Sequence, residues 1–136
     1  MGAYIYDLYD PHEDISYQIP QLWVEDDPGA RDASVHYLDE FQVGDKLVLY
    51  YDYGDDWEFD IQIEKISRTK QGPVVARVLA GQRYGIIDDI GGVSGLKEYY
   101  SKCKKKQNLR FYEEWLGFLP NLDEFNVADI NRELNE

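Results

Sequence analysis

Lys46-Leu47-Val48-Leu49-Tyr50-Tyr51-Asp52-Tyr53-Gly54-Asp55-Asp56-Trp57-Glu58-Phe59-Asp60-Ile61-Gln62-Ile63-Glu64 holds two alternating runs joined by turn residues. Leu47, Leu49 and Tyr51 alternate with Val48, Tyr50 and Asp52. Trp57, Phe59, Ile61 and Ile63 alternate with Glu58, Asp60, Gln62 and Glu64. Strand side chains point to opposite faces in turn, so a period of two with acids on one side predicts strands with one buried and one wet face. Tyr53-Gly54-Asp55-Asp56 supplies turn chemistry between them, and the whole reads as an antiparallel hairpin. Its second run, with Trp57 to Ile63 on the core face, is expected to be a central strand.

Outward from the hairpin the signals are shorter. Tyr4, Tyr6 and Leu8 alternate with Ile5 and Asp7, which suggests a first strand. From Asp10 to Asp32 the chain is rich in Pro, Asp and Gly and reads as a long loop, with one apolar island at Leu22-Trp23-Val24 for a short strand. Gln71-Gly72-Pro73 turns the chain into an expected third strand, Val74 to Ala80. After Gly95 the period changes: Leu96, Tyr99, Tyr100 and Cys103 fall at helical spacing, as do Phe111, Tyr112 and Trp115. Asn121 with Glu124 has capping-box spacing, and Asn126 is placed to cap a last helix that faces the core with Val127, Ile130 and Leu134. Strands first and helices last define an α+β fold. The expectation is a mainly antiparallel sheet built around the central hairpin, with C-terminal helices packed on it.

The 136 residues fit one domain, residues 1–136. An aromatic content of 15%, with twelve Tyr, argues against general disorder. No apolar run reaches the ~18 residues that span a bilayer, and the first residues lack the basic start and apolar stretch of a signal peptide. No membrane association is expected. Cys103 is the single cysteine, which excludes an internal disulfide and suits a reducing cytoplasm. The net charge of −13 is uneven: acids dominate before Lys65 and after Phe111, and bases dominate between them. The basic segment either neutralises the acidic ones within the fold or meets a charged partner. Phosphate repels a surface of this sign, which argues against duplex DNA as the partner.

Three blocks in order resemble the plasmid pRiA4b ORF-3-like family, also known as passenger proteins of insertion elements. They are Tyr51-Asp52-Tyr53-Gly54-Asp55-Asp56-Trp57 with Ile61 and Glu64; Asp88-Asp89-Ile90-Gly91-Gly92 with Gly95; and Trp115-Leu116-Gly117 with Phe125, Val127, Asn131 and Leu134. The chain departs from the family pattern at Phe59, where a histidine is usual, and at Ile86-Ile87, where two prolines are usual. The resemblance begins near the family's second strand, so it implies an N-terminally shortened domain with an open sheet edge. The loop carrying Leu22, Trp23 and Val24 is expected to cover the exposed apolar face, and the edge to form a weak homodimer. The family implies no defined activity.

The second feature shared by these blocks is carboxylate beside glycine. Asp52, Tyr53, Gly54, Asp55, Asp56, Trp57, Asp88, Asp89, Gly91 and Gly92 form the candidate binding cleft. Asp52, Asp55, Asp88 and Asp89 are the candidate ligands for a hard cation such as Mg²⁺ or Ca²⁺. The competing reading is that Asp in turns caps its own backbone amides. His12 and His36 read as exposed loop residues, and with Cys103 they form no zinc spacing. Lys102, Lys104, Lys105, Lys106 and Arg110 form a basic patch. It reads as a solvated helix end or, with Tyr99, Tyr100 and Phe111 nearby, as a contact for single-stranded nucleic acid.

No stretch supplies a nucleophile, a base and an oxyanion site together, and no cofactor motif is present. The expected role is a non-enzymatic interaction or adaptor domain with a protein partner, linked to mobile genetic elements. The alternatives are a divalent-cation-dependent enzyme using the aspartates, and a nucleic-acid-associated or DNA-mimicking protein.

Overall fold

The structure is a computed structural model, and it describes residues 6–19, 29–36, 38–68, 72 and 75–136. The described residues fall into two compact units. The first holds those up to Arg68 together with Asp89–Val93; the second holds those between Arg68 and Asp89 together with Ser94–Glu136.

The first unit is a five-stranded sheet. Its strands are β1 Tyr6–Asp10, β2 Ile15–Gln18, β3 Arg31–Asp32, β4 Lys46–Tyr51 and β5 Trp57–Gln62, in the order β3-β2-β1-β4-β5. All pairings are antiparallel except β2 with β3. The expected hairpin is there, with Leu49 opposite Phe59 and Tyr51 opposite Trp57. It sits at one side of the sheet, however: β1 is the middle strand and β5 an edge, so Trp57 to Ile63 is not the central strand. The reason is a second hairpin. Asp10 is buried, and its Oδ1 accepts the N–H groups of His12 and Glu13 at 2.9 and 3.3 Å. Asp14 takes φ +54°, and the chain returns as β2. That side-chain cap turns part of the expected long loop into a strand. Glu58 and Asp60 keep the edge strand β5 charged on its outer face, which discourages further pairing. Leu22, Trp23 and Val24 lie outside the described residues.

Facing residues of paired strands share a side, so Leu8, Tyr17, Leu47 and Ile61 gather on one face. Tyr17, Phe41 and Leu47 are buried there, with Leu8, Ile15, Ala33, Ile61 and Ile63 packed against them. Tyr17 meets Phe41 edge-on at 5.8 Å and His36 at 5.2 Å. His36 is thus half-buried on the core rim, with Nδ1 2.8 Å from Glu40 Oε2, while His12 is exposed as expected.

The second unit is helical. Its helices are α1 Gly92–Lys104, whose first two residues belong to the first unit, α2 Arg110–Leu116 and α3 Val127–Leu134. Tyr99 is fully buried. Its ring lies 4.9 Å from that of Tyr112, and its hydroxyl donates to the Pro120 carbonyl at 2.8 Å. Burial, followed by Cys103 beside it, pushes the Tyr99 hydroxyl well above the usual tyrosine range. Gly117 closes α2 at φ +78°, its N–H on the Glu113 carbonyl. Asn126 caps α3 as expected, accepting the Asp129 N–H at 3.0 Å. Asn121 and Glu124 do bond to each other, but they close a turn, and α3 starts only at Val127 under its own cap.

The third expected strand does not form. Val75–Ala80 has no sheet partner among the described residues, and Val74 lies outside them. The backbone N–H and C=O of Val78 are both taken by the side-chain amide of Asn131, so neither is left for a neighbouring strand.

Candidate functional site

The hairpin turn is built by Asp52. It takes φ +56°, its carbonyl accepts the N–H groups of Asp55 and Asp56 at 3.1 and 2.7 Å, and its Oδ1 accepts the Gly54 N–H at 3.1 Å. Asp is among the few residues that tolerate this left-handed backbone and reward it with such a bond. Asp56, at φ +54°, then feeds the buried Trp57 into β5. The turn therefore consumes much of its own hydrogen-bonding capacity.

The second block meets this turn within the first unit. The Gly91 N–H donates to Asp55 Oδ2 at 3.1 Å across 36 residues of sequence. Gly92 is buried at φ +65°, and a Cβ there would come within 2.0 Å of the Asp55 carbonyl oxygen. Glycine at both places lets two backbones touch, and Asp89 and Gly91 prepare the approach at φ +61° and +95°. Asp52, Tyr53, Gly54, Asp55, Asp56, Trp57, Asp89, Gly91 and Gly92 thus share one unit, whereas Asp88 is exposed in the other.

Cation binding asks for several convergent oxygens. Asp55 already spends one on Gly91, Asp52 spends one on Gly54, and among the described residues no three His, Cys, Asp or Glu side chains gather closely enough to hold a metal ion. What the arrangement accomplishes is fastening a strand turn to the entry of α1.

Three of the five residues of the basic patch are matched by carboxylates. Lys102 pairs with Glu98 at 3.1 Å, Lys104 with Asp123 at 2.7 Å, and Arg110 with Glu114 at 2.7 Å. Lys102 and Lys104 also lie 5.5 and 5.0 Å from the rings of Tyr112 and Tyr100. Lys105 and Lys106 are exposed without such partners among the described residues.

Two features of the second unit were not read from the sequence. Phe111, Trp115 and Phe118 are 70%, 41% and 55% exposed, with the Phe111 and Trp115 rings 6.1 Å apart. Their spacing is the same i, i+4 stripe that a core face would show, so periodicity cannot separate the two cases. A cavity of about 210 Å³ is lined by Arg83, Tyr84, Leu96, Lys97, Tyr100 and Leu122. Those six residues are spread over 40 positions, and no local pattern joins them.

Fold and turn together describe an α+β protein in which a carboxylate turn is locked onto a Gly-Gly segment. The sequence profile of the plasmid pRiA4b ORF-3-like protein family matches residues 3–133, and the chain belongs to that family. The crystal structure of a protein of unknown function from Methanosarcina mazei Go1 has a similar fold, with a TM-score of 0.70 and 24% identity over 93% of this chain and 70% of that one. No curated protein matches. No helix among the described residues is long and apolar enough to cross a membrane.

Proposed function

We propose that this chain is a non-enzymatic interaction domain that binds a protein partner through the aromatic face of α2. The observation that carries the reading is the exposure of Phe111, with Trp115 and Phe118 beside it in sequence steps of four and three. Aromatic side chains are costly to leave in water and are enriched where proteins meet. Supporting it, the family's aspartate and glycine blocks are engaged in holding the hairpin turn, which leaves them little capacity for chemistry. A link to mobile genetic elements follows the family's plasmid name, and a reducing cytoplasm suits Cys103, which is a free thiol.

A photo-crosslinking residue at Phe111 and another at Glu136 test the proposal in extracts of cells expressing the full chain. The expected result is one discrete adduct from position 111, absent from position 136 and lost on Trp115→Ser. A ladder of adducts indifferent to Trp115→Ser would overturn it. An adduct of twice the chain mass would identify the partner as a second copy. Heat on titration with Mg²⁺, Ca²⁺ or Mn²⁺ that vanished in Asp55→Asn would favour the cation-dependent enzyme instead.

A further inference from the structure

We propose that the cavity between α1 and the Arg83–Tyr84 segment binds a small aromatic carboxylate. Its lining divides by chemistry. Leu96 and Leu122 supply aliphatic surface, Tyr84 and Tyr100 supply ring faces, and Arg83 and Lys97 bring two cations. Ligand sites of this kind combine mostly apolar walls with a few placed polar groups.

Two cations border this cavity. The protein carries a net charge of −13, and Lys102, Lys104, Arg110 and Arg132 of the second unit are paired with carboxylates. Arg83 and Lys97 form no ion pair among the described residues. The neighbouring carboxylate, Asp123, accepts from Lys104 Nζ at 2.7 Å and from the Tyr100 hydroxyl at 3.0 Å. Arg83 acts on this carboxylate only beyond ion-pair distance and after Lys104 and Tyr100, so Arg83 and Lys97 both remain open to a ligand anion. Arg fits a carboxylate through two parallel N–H donors, and Lys adds a point charge.

Backbone geometry holds the cationic wall in place. Arg83 sits at φ +65°, a conformation that residues with a Cβ rarely adopt. The next N–H, from Tyr84, donates to the Leu122 carbonyl at 3.0 Å and ties the strained residue to the cavity's own floor. Strain of this kind persists where surrounding contacts over-determine it, and it gathers at ligand-binding positions.

Size selects the ligand class. A dry cavity of about 150 Å³ holds a benzene ring. The 210 Å³ here accommodate one ring with a short acidic substituent, and the two tyrosines offer it edge or face contacts. A purely aliphatic acid would leave those rings unused, and an inorganic anion would leave Leu96 and Leu122 uncovered. None of the six lining residues belongs to the exposed face of α2, so this site and the partner-binding face stand or fall separately.

Phenylacetate is the probe, and methyl-labelled NMR of the full chain is the measurement. The Leu96 and Leu122 methyl signals should shift saturably with phenylacetate, and neutral phenylacetamide should bind about tenfold more weakly because it lacks the charge. Arg83→Gln and Lys97→Gln should each weaken phenylacetate by about two- to fivefold, the cost of one lost charge contact at a solvent-exposed position. Both residues lie at the surface, and the variant spectra report whether the fold is kept. Equal binding of acid and amide, saturation at signals other than those two leucines, or unchanged affinity in the double variant would overturn the proposal.

Discussion

The side-chain amide of Asn131 pairs with both backbone groups of Val78: its Oδ1 accepts the Val78 N–H and its Nδ2 donates to the Val78 carbonyl, each at 2.8 Å. One turn of α3 thereby does for Val78 what an adjacent strand would have done. The pair spans 53 residues and ties the segment before Arg83 to the C-terminal helix of the same unit.

Asn131→Leu removes both bonds and leaves two half-buried backbone groups unpartnered. It should destabilise the second unit by about 2–4 kcal/mol, since each orphaned group costs on the order of 1–3 kcal/mol if water cannot reach it. Asn131→Asp keeps the acceptor but sets a carboxylate against the Val78 carbonyl, and it should be nearly as harmful at neutral pH. Urea unfolding of both variants decides this. A loss under ~0.5 kcal/mol in either would mean that water replaces the amide without penalty.

Two glycines separate backbone strain from steric conflict. Gly44 lies at φ +94° with open space around its missing side chain, and Gly92 lies at φ +65° against the Asp55 carbonyl. Gly44→Ala should cost about 1 kcal/mol, the left-handed penalty alone. Gly92→Ala carries that penalty and a clash that only backbone movement relieves, so it should cost at least about 3 kcal/mol by comparison with other overpacking substitutions. If the two variants unfold at the same urea concentration, the close approach of the turn to the Gly-Gly segment is wrong.

Trp57 is 4% exposed at the head of β5 and opposite Tyr51. Trp57→Ala should destabilise by about 3–5 kcal/mol, the range for truncating a large buried aromatic. Chemical unfolding followed by far-ultraviolet circular dichroism measures it without relying on the tryptophan itself. A loss near 1 kcal/mol would place Trp57 at the surface.

What the sequence disclosed follows from the range of each interaction. The β4–β5 register was legible because alternation is local: Leu47 to Ile63 states its own faces. The β1–β2 hairpin was not, although Ile15 and Tyr17 alternate with Ser16 and Gln18. Its turn depends on the buried carboxylate of Asp10, and the surrounding Pro and Asp residues read as loop. Val75–Ala80 is apolar enough for a strand, and only Asn131, far along the chain, removes that option. The juxtaposition of Asp55 with Gly91 was suggested by the family resemblance and by the carboxylate-beside-glycine pattern the two blocks share. Among the lysines, the Glu98 partner of Lys102 was visible at i, i+4, whereas the Asp123 partner of Lys104 lies 19 residues away.

The Lys104–Asp123 pair sets a pH window. The Asp123 carboxyl is held below its ordinary value of 3.8 first by the Lys104 bond and next by the Tyr100 hydroxyl. Lys104 is raised above its ordinary 10.5 first by the Asp123 bond and next by Tyr100. For Asp123 the folded state holds its proton less tightly than the unfolded one. Its stabilising contribution is therefore complete above 3.8 and fades as pH falls through the lower folded value. For Lys104 the sign reverses: the contribution is complete below 10.5 and fades as pH rises through the higher folded value. Stability from this pair should hold flat between those limits and fall outside both. Both groups are solvent-exposed, so the effect should be small and should shrink in high salt. Comparing urea midpoints of the native chain with Asp123→Asn and Lys104→Gln across pH 3 to 11 isolates it. Each variant should narrow its gap to the native chain at both pH extremes. A gap that stays constant across the whole range would mean that these variants act through packing and not through charge.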